Sequence, residues 1–317
     1  MKKTFYTVTA AVLLLLSGGR MLAAAPQNAT DSDYYYMPVE QVCHAFAKPS
    51  LTDTERKAIT QDSHIAEAVS FSEPMKYATA FANGWGVTRD VKRALAFACT
   101  ADIAENGDKV MAIQEIGRNP DTAKPFSECD HVTSGEDGAV CAAAVMDKRQ
   151  TERDRKVAER YAGFTPEQKH AFDALRAAAK TYFELHAGDE QDMSGTARNA
   201  FYVEEADTVG QRFFQFLMRC EYDRFPSQGH FAESDKKLNE TYQKIMTSLP
   251  DSAHIGGEPT KDGVRKTQRA WLKYRDAWTT FARQRYPKVA DQFPAWITDD
   301  RIQTLVWAFI DPPYTGR

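Results

Sequence analysis

From Thr165 onward, apolar residues return every three or four positions, and each run is bracketed by signals that start or stop a helix. Thr165-Pro166-Glu167-Gln168 combines an N-cap threonine, a proline at the first helical position and a glutamine at the third. Behind it Phe172, Leu175, Ala179 and Tyr182 share one face, and Gly188 offers a stop. Ser234 stands where it can cap a second helix carrying Leu238, Tyr242, Ile245 and Leu249, ended by Pro250. A third helix is expected from about Gly263 to Tyr286, with Trp271, Tyr274, Trp278 and Phe281 as its stripe and Pro287 beyond it. Thr298 can cap a fourth, bearing Ile302, Leu305, Val306 and Phe309 before Asp311-Pro312-Pro313. No stretch alternates apolar and polar residues between turn signals, which argues against a sheet. The expected fold is all-α, with a helical-hairpin domain followed by a helical bundle.

The chain opens differently. Lys2 and Lys3 precede a short apolar run, Val8 to Leu16, and the small residues Ala23-Ala24-Ala25 follow. This is the layout of a secretory signal peptide, with a core too short to span a membrane. Cleavage is expected after Ala24 or Ala25. Removing residues 1–25 takes away three basic residues, Lys2, Lys3 and Arg20, and no acidic one, shifting the net charge from −4 to −7. The expected location is periplasmic or secreted, with no membrane span in the mature form. Without a basic excess to neutralise phosphates, nucleic acid is not an expected partner.

Export places five cysteines in an oxidising compartment. Cys43, Cys99, Cys129 and Cys141 lie in the first half and Cys220 alone in the second; none forms a C-x-x-C pair. The expected bridges are Cys43–Cys99 and Cys129–Cys141, the latter bracketing Thr133-Ser134-Gly135, with Cys220 left as a thiol. The domains follow: a signal peptide at 1–25, a disulfide-bearing helical domain at 26–147, a charged linker or solvated helix at 148–164, and a helical region at 165–311. Gly188 to Gly195 and Asp251 to Asp262 read as acidic loops within that last region.

Two segments resemble known families. Tyr77-Ala78, Asn83-Gly84-Trp85-Gly86-Val87, Arg89-Asp90, Ala94 and Ala98 are similar to one Sel-like repeat, a relative of the tetratricopeptide repeats. The resemblance implies two helices reversing at Gly84 and Gly86, with Asp90 capping the second; only one copy is visible. In the second half, Leu238-Asn239 with Tyr242, then Gln268, Trp271 and Tyr274-Arg275-Asp276, then Thr298, Arg301 and Leu305 resemble the lysozyme-inhibitor LprI-like family over roughly 220–309. That resemblance implies export, a small helical domain and, for one member, inhibition of lysozyme. Relatives often carry cysteines at positions falling near Trp278 and Trp296 here, so aromatic packing is expected to replace their disulfide. A fainter echo sets Phe172, Arg176 and Ala178 against Trp271, Arg275 and Ala277, 99 residues on.

The chemistry-bearing patterns are few. No H-E-x-x-H, G-x-S-x-G, phosphate-binding glycine loop or EF-hand loop occurs. No catalytic, cofactor or metal residue is therefore assigned, and no cofactor is expected. The tract Glu184, His186, Asp189, Glu190 and Asp192 lacks the ligand spacing of a hard-cation loop and reads as a solvated helix end. Asn239, Tyr242, Gln268, Trp271, Tyr274, Arg275, Asp276 and Arg301 read as structural. Arg275, beside an aromatic stripe, is expected to clamp to Asp235 or Glu240. The functional expectation is an exported protein-interaction module inhibiting a cationic cell-wall hydrolase such as lysozyme. The alternatives are an exported enzyme acting on wall glycans through an unrecognised site, or a periplasmic scaffold.

Overall fold

A computed structural model describes residues 33–100, 103–253 and 256–311; residues 1–25, where a signal peptide is expected from the sequence, lie outside them. Every regular element among the described residues is helical. The chain divides into two compact units, Met1–His131 and Val132–Arg317.

The first unit contains α1 (Val39–His44), α2 (Asp53–Gln61), α3 (Ser63–Glu67), α4 (Glu73–Asn83), α5 (Val91–Ala98) and α6 (Ile103–Arg118). The segment with the Sel-like resemblance is the α4–α5 hairpin. Asp90 caps α5 by accepting from the Arg93 amide at 2.9 Å. Gly86 has φ +71°, and a Cβ there would lie 2.6 Å from the Ala58 carbonyl oxygen, so only glycine lets the hairpin close against α2. Met75, Phe81, Leu95, Val110 and Ile113 form the core. Cys43 in α1 is bonded to Cys99 at the end of α5, fastening the first helix to the hairpin. Cys129 and Cys141 are each disulfide-bonded, and Cys220 is free and buried.

The second unit contains α7 (Gly135–Tyr161), α8 (Pro166–Asp189), α9 (Arg198–Glu221), α10 (Phe231–Ser248), α11 (Lys261–Arg285) and α12 (Phe293–Phe309). The charged tract at 148–164 is not a linker but mostly the second half of α7. Glu152, Arg155, Lys156 and Glu159 pair along its solvated face. Arg153 is buried against Asp207 of α9 at 2.6 Å, so the tract is only partly solvated.

Thr165 and Gln168 form a reciprocal capping box at the start of α8. Two other expected starts move upstream, that of α10 by four residues and that of α12 by six. α10 begins at Phe231, leaving Ser234 inside it and buried; α12 begins at Phe293, leaving Thr298 inside it with its hydroxyl donating to the Pro294 carbonyl at 2.6 Å. Pro294 sits in the first turn, where its missing N–H costs nothing.

α8 and α11, the two helices that carry the faint echo, pack on each other at the centre, while α7 packs on α9 and α10 on α12. Phe164, Phe172, Leu175, Trp271, Trp278 and Phe281 fill the space between. Trp278 and Trp296 are joined through rings: Phe293 lies 5.7 Å from the first and 5.1 Å from the second. Phe216 contacts both as well.

Candidate functional site

The face of α8 that carries Phe172, Leu175, Ala179 and Tyr182 continues by helical spacing to His186 and Glu190. Both are buried, so the end of α8 is not solvated as its acidic composition implies. His186 Nδ1 lies 2.7 Å from Glu190 Oε2, and its Nε2 lies 2.8 Å from Glu205 Oε1 on α9. Arg301, projecting from α12 with no exposed surface, closes the array. Its Nη1 and Nη2 donate to the two oxygens of Glu190 at 2.7 and 2.6 Å. Its Nε donates to Gln268 Oε1 on α11 at 3.0 Å, and Nη1 reaches the Tyr182 hydroxyl at 3.3 Å. Two cations and two carboxylates thus balance, with Glu205 at the partly exposed edge, and four helices contribute.

Burial works against every charge here, and the partners decide the outcome. Burial would raise the Glu190 carboxyl, but the Arg301 charge and its hydrogen bonds, with His186 adding, hold it down at about 2. Burial would drive the His186 imidazole toward neutrality, but hydrogen bonds to Glu190 and Glu205 outweigh it and hold the pKa above its ordinary value. Burial pushes the Tyr182 hydroxyl up to about 12.

A histidine between two carboxylates invites comparison with catalytic groups, but this one is sealed from solvent and both ring nitrogens are occupied by acids. Cys220, the free thiol, is pushed up by burial to about 12, far from a reactive thiolate. The array is a structural keystone.

Its linkage to stability has two limbs. Glu190, lowered on folding, contributes stability above its unfolded value near 4.5, and that contribution disappears as pH falls toward about 2. His186, raised on folding, contributes below its unfolded value near 6.5, and that contribution is lost as pH climbs through its higher folded value. The array is therefore expected to stabilise most between about pH 4.5 and 6.5. Urea denaturation across this range checks it; equal stability at about pH 3, 5.5 and 8 would contradict it.

The other sequence-predicted residues spread around this centre. Trp271 and Tyr274 are buried in the core, Tyr242 is half-buried, and Gln268 joins the keystone. Asn239 is exposed and donates to Asp235 at 3.2 Å; Asp276 is exposed beside Arg275. Arg275 faces the expected partner Asp235, but at 3.9 Å and with that carboxylate 44% exposed; it also lies 3.2 Å from Asp276 and covers the rings of Trp271 and Phe231. Its contribution comes mainly from that coverage. The buried clamp is Arg301, which the sequence singled out without a partner.

The two acidic loops meet. The Met193 amide donates to the Gly257 carbonyl at 2.8 Å. Gly257 has φ +102°, and a Cβ there would lie 2.4 Å from the Met193 carbonyl oxygen, so the contact depends on glycine. Lys266 reaches Asp189 at 3.2 Å, and Lys261 reaches Asp251 at 3.0 Å. Segments more than sixty residues apart thus form one surface at the C-terminal end of α8 and the N-terminal end of α11. Among the described residues no group of three or more His, Cys, Asp or Glu is placed to hold a metal, and no helix is long and apolar enough to cross a membrane.

Residues 227–305 match the family model described as Lysozyme inhibitor LprI, so the similarity is confined to the C-terminal part of the chain. It covers α10, α11 and nearly all of α12. No curated protein and no solved structure matches the chain.

Proposed function

We propose that this protein is exported to the periplasm or beyond and binds there to a cationic lysozyme, slowing its attack on the cell wall. The LprI domain at residues 227–305 carries this reading. An inhibitor family is not a catalytic one, which fits a binding role. Disulfides at Cys43–Cys99 and at Cys129 and Cys141 fit an oxidising compartment.

The contact surface in this reading is the joined loop pair, 188–195 with 251–262. Lysozymes are strongly basic, and a mature chain of net charge −7 draws them in at long range. The loop pair then presents carboxylates such as Asp251 and Asp262 to the cleft. Charge alone gives salt-sensitive association, so inhibition also requires apolar contact around the loops.

The test is lysozyme turnover of a cell-wall suspension with increasing mature protein at physiological salt. Saturable slowing is expected, and reversing both Asp251 and Asp262 to lysine should weaken it by roughly tenfold through lost complementarity. No slowing at a large molar excess removes lysozyme as the partner.

A further inference from the structure

Between α7, α8 and α9, outside the matched domain, lies a cavity of about 530 Å³. Phe172, Phe183, Phe213 and Phe214 line it, and it exists because small residues stand where larger ones would fill it: Ala179 on α8, Ala206 and Gly210 on α9. A Cβ at Gly210 would meet only Arg153 Nη2, at 4.0 Å, so the space beside this helix is open. At the position 99 residues beyond Ala179, where the echo aligns α11 with α8, stands Trp278, fully buried among aromatic rings.

Charge at the walls is unbalanced. Arg153, Arg176 and Lys180 line the cavity against Asp154 and Glu184, one more cation than anion. Arg153 is buried and donates Nε and Nη2 to Gln150 Oε1, and Nη1 to Gln211 Oε1 at 3.2 Å. Its one carboxylate partner, Asp207, is shared with Arg149 at 2.8 Å. Neutral amides are weaker acceptors than a carboxylate, so this guanidinium gains from an anion. Arg176–Asp154 and Lys180–Glu184 are solvent-exposed pairs, and such pairs exchange partners at little cost.

We propose that this cavity binds a single-chain anionic amphiphile, a medium-chain fatty carboxylate, with its chain among the four phenylalanines and its head on the lining cations. The volume lies in the range of small-molecule pockets and suits a chain of about ten carbons. A cationic amphiphile is disfavoured by the excess positive charge, and a neutral alcohol forgoes the charge-assisted hydrogen bonds.

Isothermal titration of the full mature protein with decanoate, decyltrimethylammonium and decanol, each below its micellar concentration, tests this. Decanoate is expected to bind at one site about tenfold more tightly than either of the others. Gly210→Leu and, separately, Ala206→Leu fill the space and should abolish decanoate binding while the protein still melts cooperatively at or near the parent temperature. Arg176→Gln should weaken decanoate and leave decanol unchanged. Absence of saturable decanoate binding, equal affinity for the cationic amphiphile, or binding unaltered in both filled variants would each overturn the proposal. Lysozyme inhibition is read separately, so either result stands without the other.

Discussion

Replacing Arg301 with methionine is expected to destabilise the second unit by about 3–5 kcal/mol. Methionine preserves much of the side chain's volume but removes the cation that holds Glu190 ionised. The buried array then keeps two carboxylates against one imidazolium, and Glu190 must either take up a proton or remain an uncompensated charge. Gln268 and Tyr182 lose a donor at the same time. Four of the five tryptophans lie in this unit, so intrinsic fluorescence reports its unfolding. The midpoint should fall by roughly 10 °C. Glu190→Gln alone should be costly too, whereas combining it with Arg301→Met should cost less than the two separate losses together. Arg275→Ala, which removes pairs to two solvent-exposed carboxylates, should cost only about 1 kcal/mol. A midpoint for Arg301→Met within about 2 °C of the parent would show that the array does not hold the bundle together.

Trp278→Ala is expected to cost a comparable amount, about 3–5 kcal/mol, by a different physical route. The indole has no exposed surface and touches rings from two other helices of the unit, Phe213 at 5.4 Å and Phe216 at 5.2 Å on α9 and Phe293 at 5.7 Å on α12. Truncation leaves a void that these rigid groups cannot close, so lost transfer energy and lost contacts add. Trp278→Phe keeps a ring in place and should lose less than half as much. Urea midpoints followed by far-ultraviolet dichroism separate the two substitutions. If alanine and phenylalanine prove equally mild, the aromatic bridge toward Trp296 carries little of the stability assigned to it.

The helices themselves were legible because their signals are local. A capping box needs four adjacent residues, and the stripe of α11 needs only a period. Where a second signal competed, the helix start lies four to six residues upstream of the expected cap: Ser234 and Thr298 have the chemistry of caps, yet buried positions inside α10 and α12 claim them. The keystone was harder to see because its members are distant. Glu190 and Arg301 are separated by 111 positions, and an acidic tract after a helix has the composition of a wet end. One signal was available. Extending the apolar face of α8 past Tyr182 in steps of four reaches His186 and Glu190, and polar groups on a core face must find partners. The meeting of the two loops had no such signal, because it follows from how α8 and α11 pack.

The keystone also bears on where this protein's modules begin and end. Arg301 and Gln268 lie inside the stretch recognised as LprI, but the acid that neutralises the arginine, and the imidazole beyond it, lie on helices upstream of that stretch. A fragment trimmed to the recognised boundaries would retain a guanidinium stripped of its counter-ion and an aromatic stripe stripped of the helix that covers it. The matched stretch and the packed bundle therefore have different edges in this chain. A piece limited to the last three helices is expected to fold less stably than the six-helix unit, because nothing in it supplies the acid that meets Arg301.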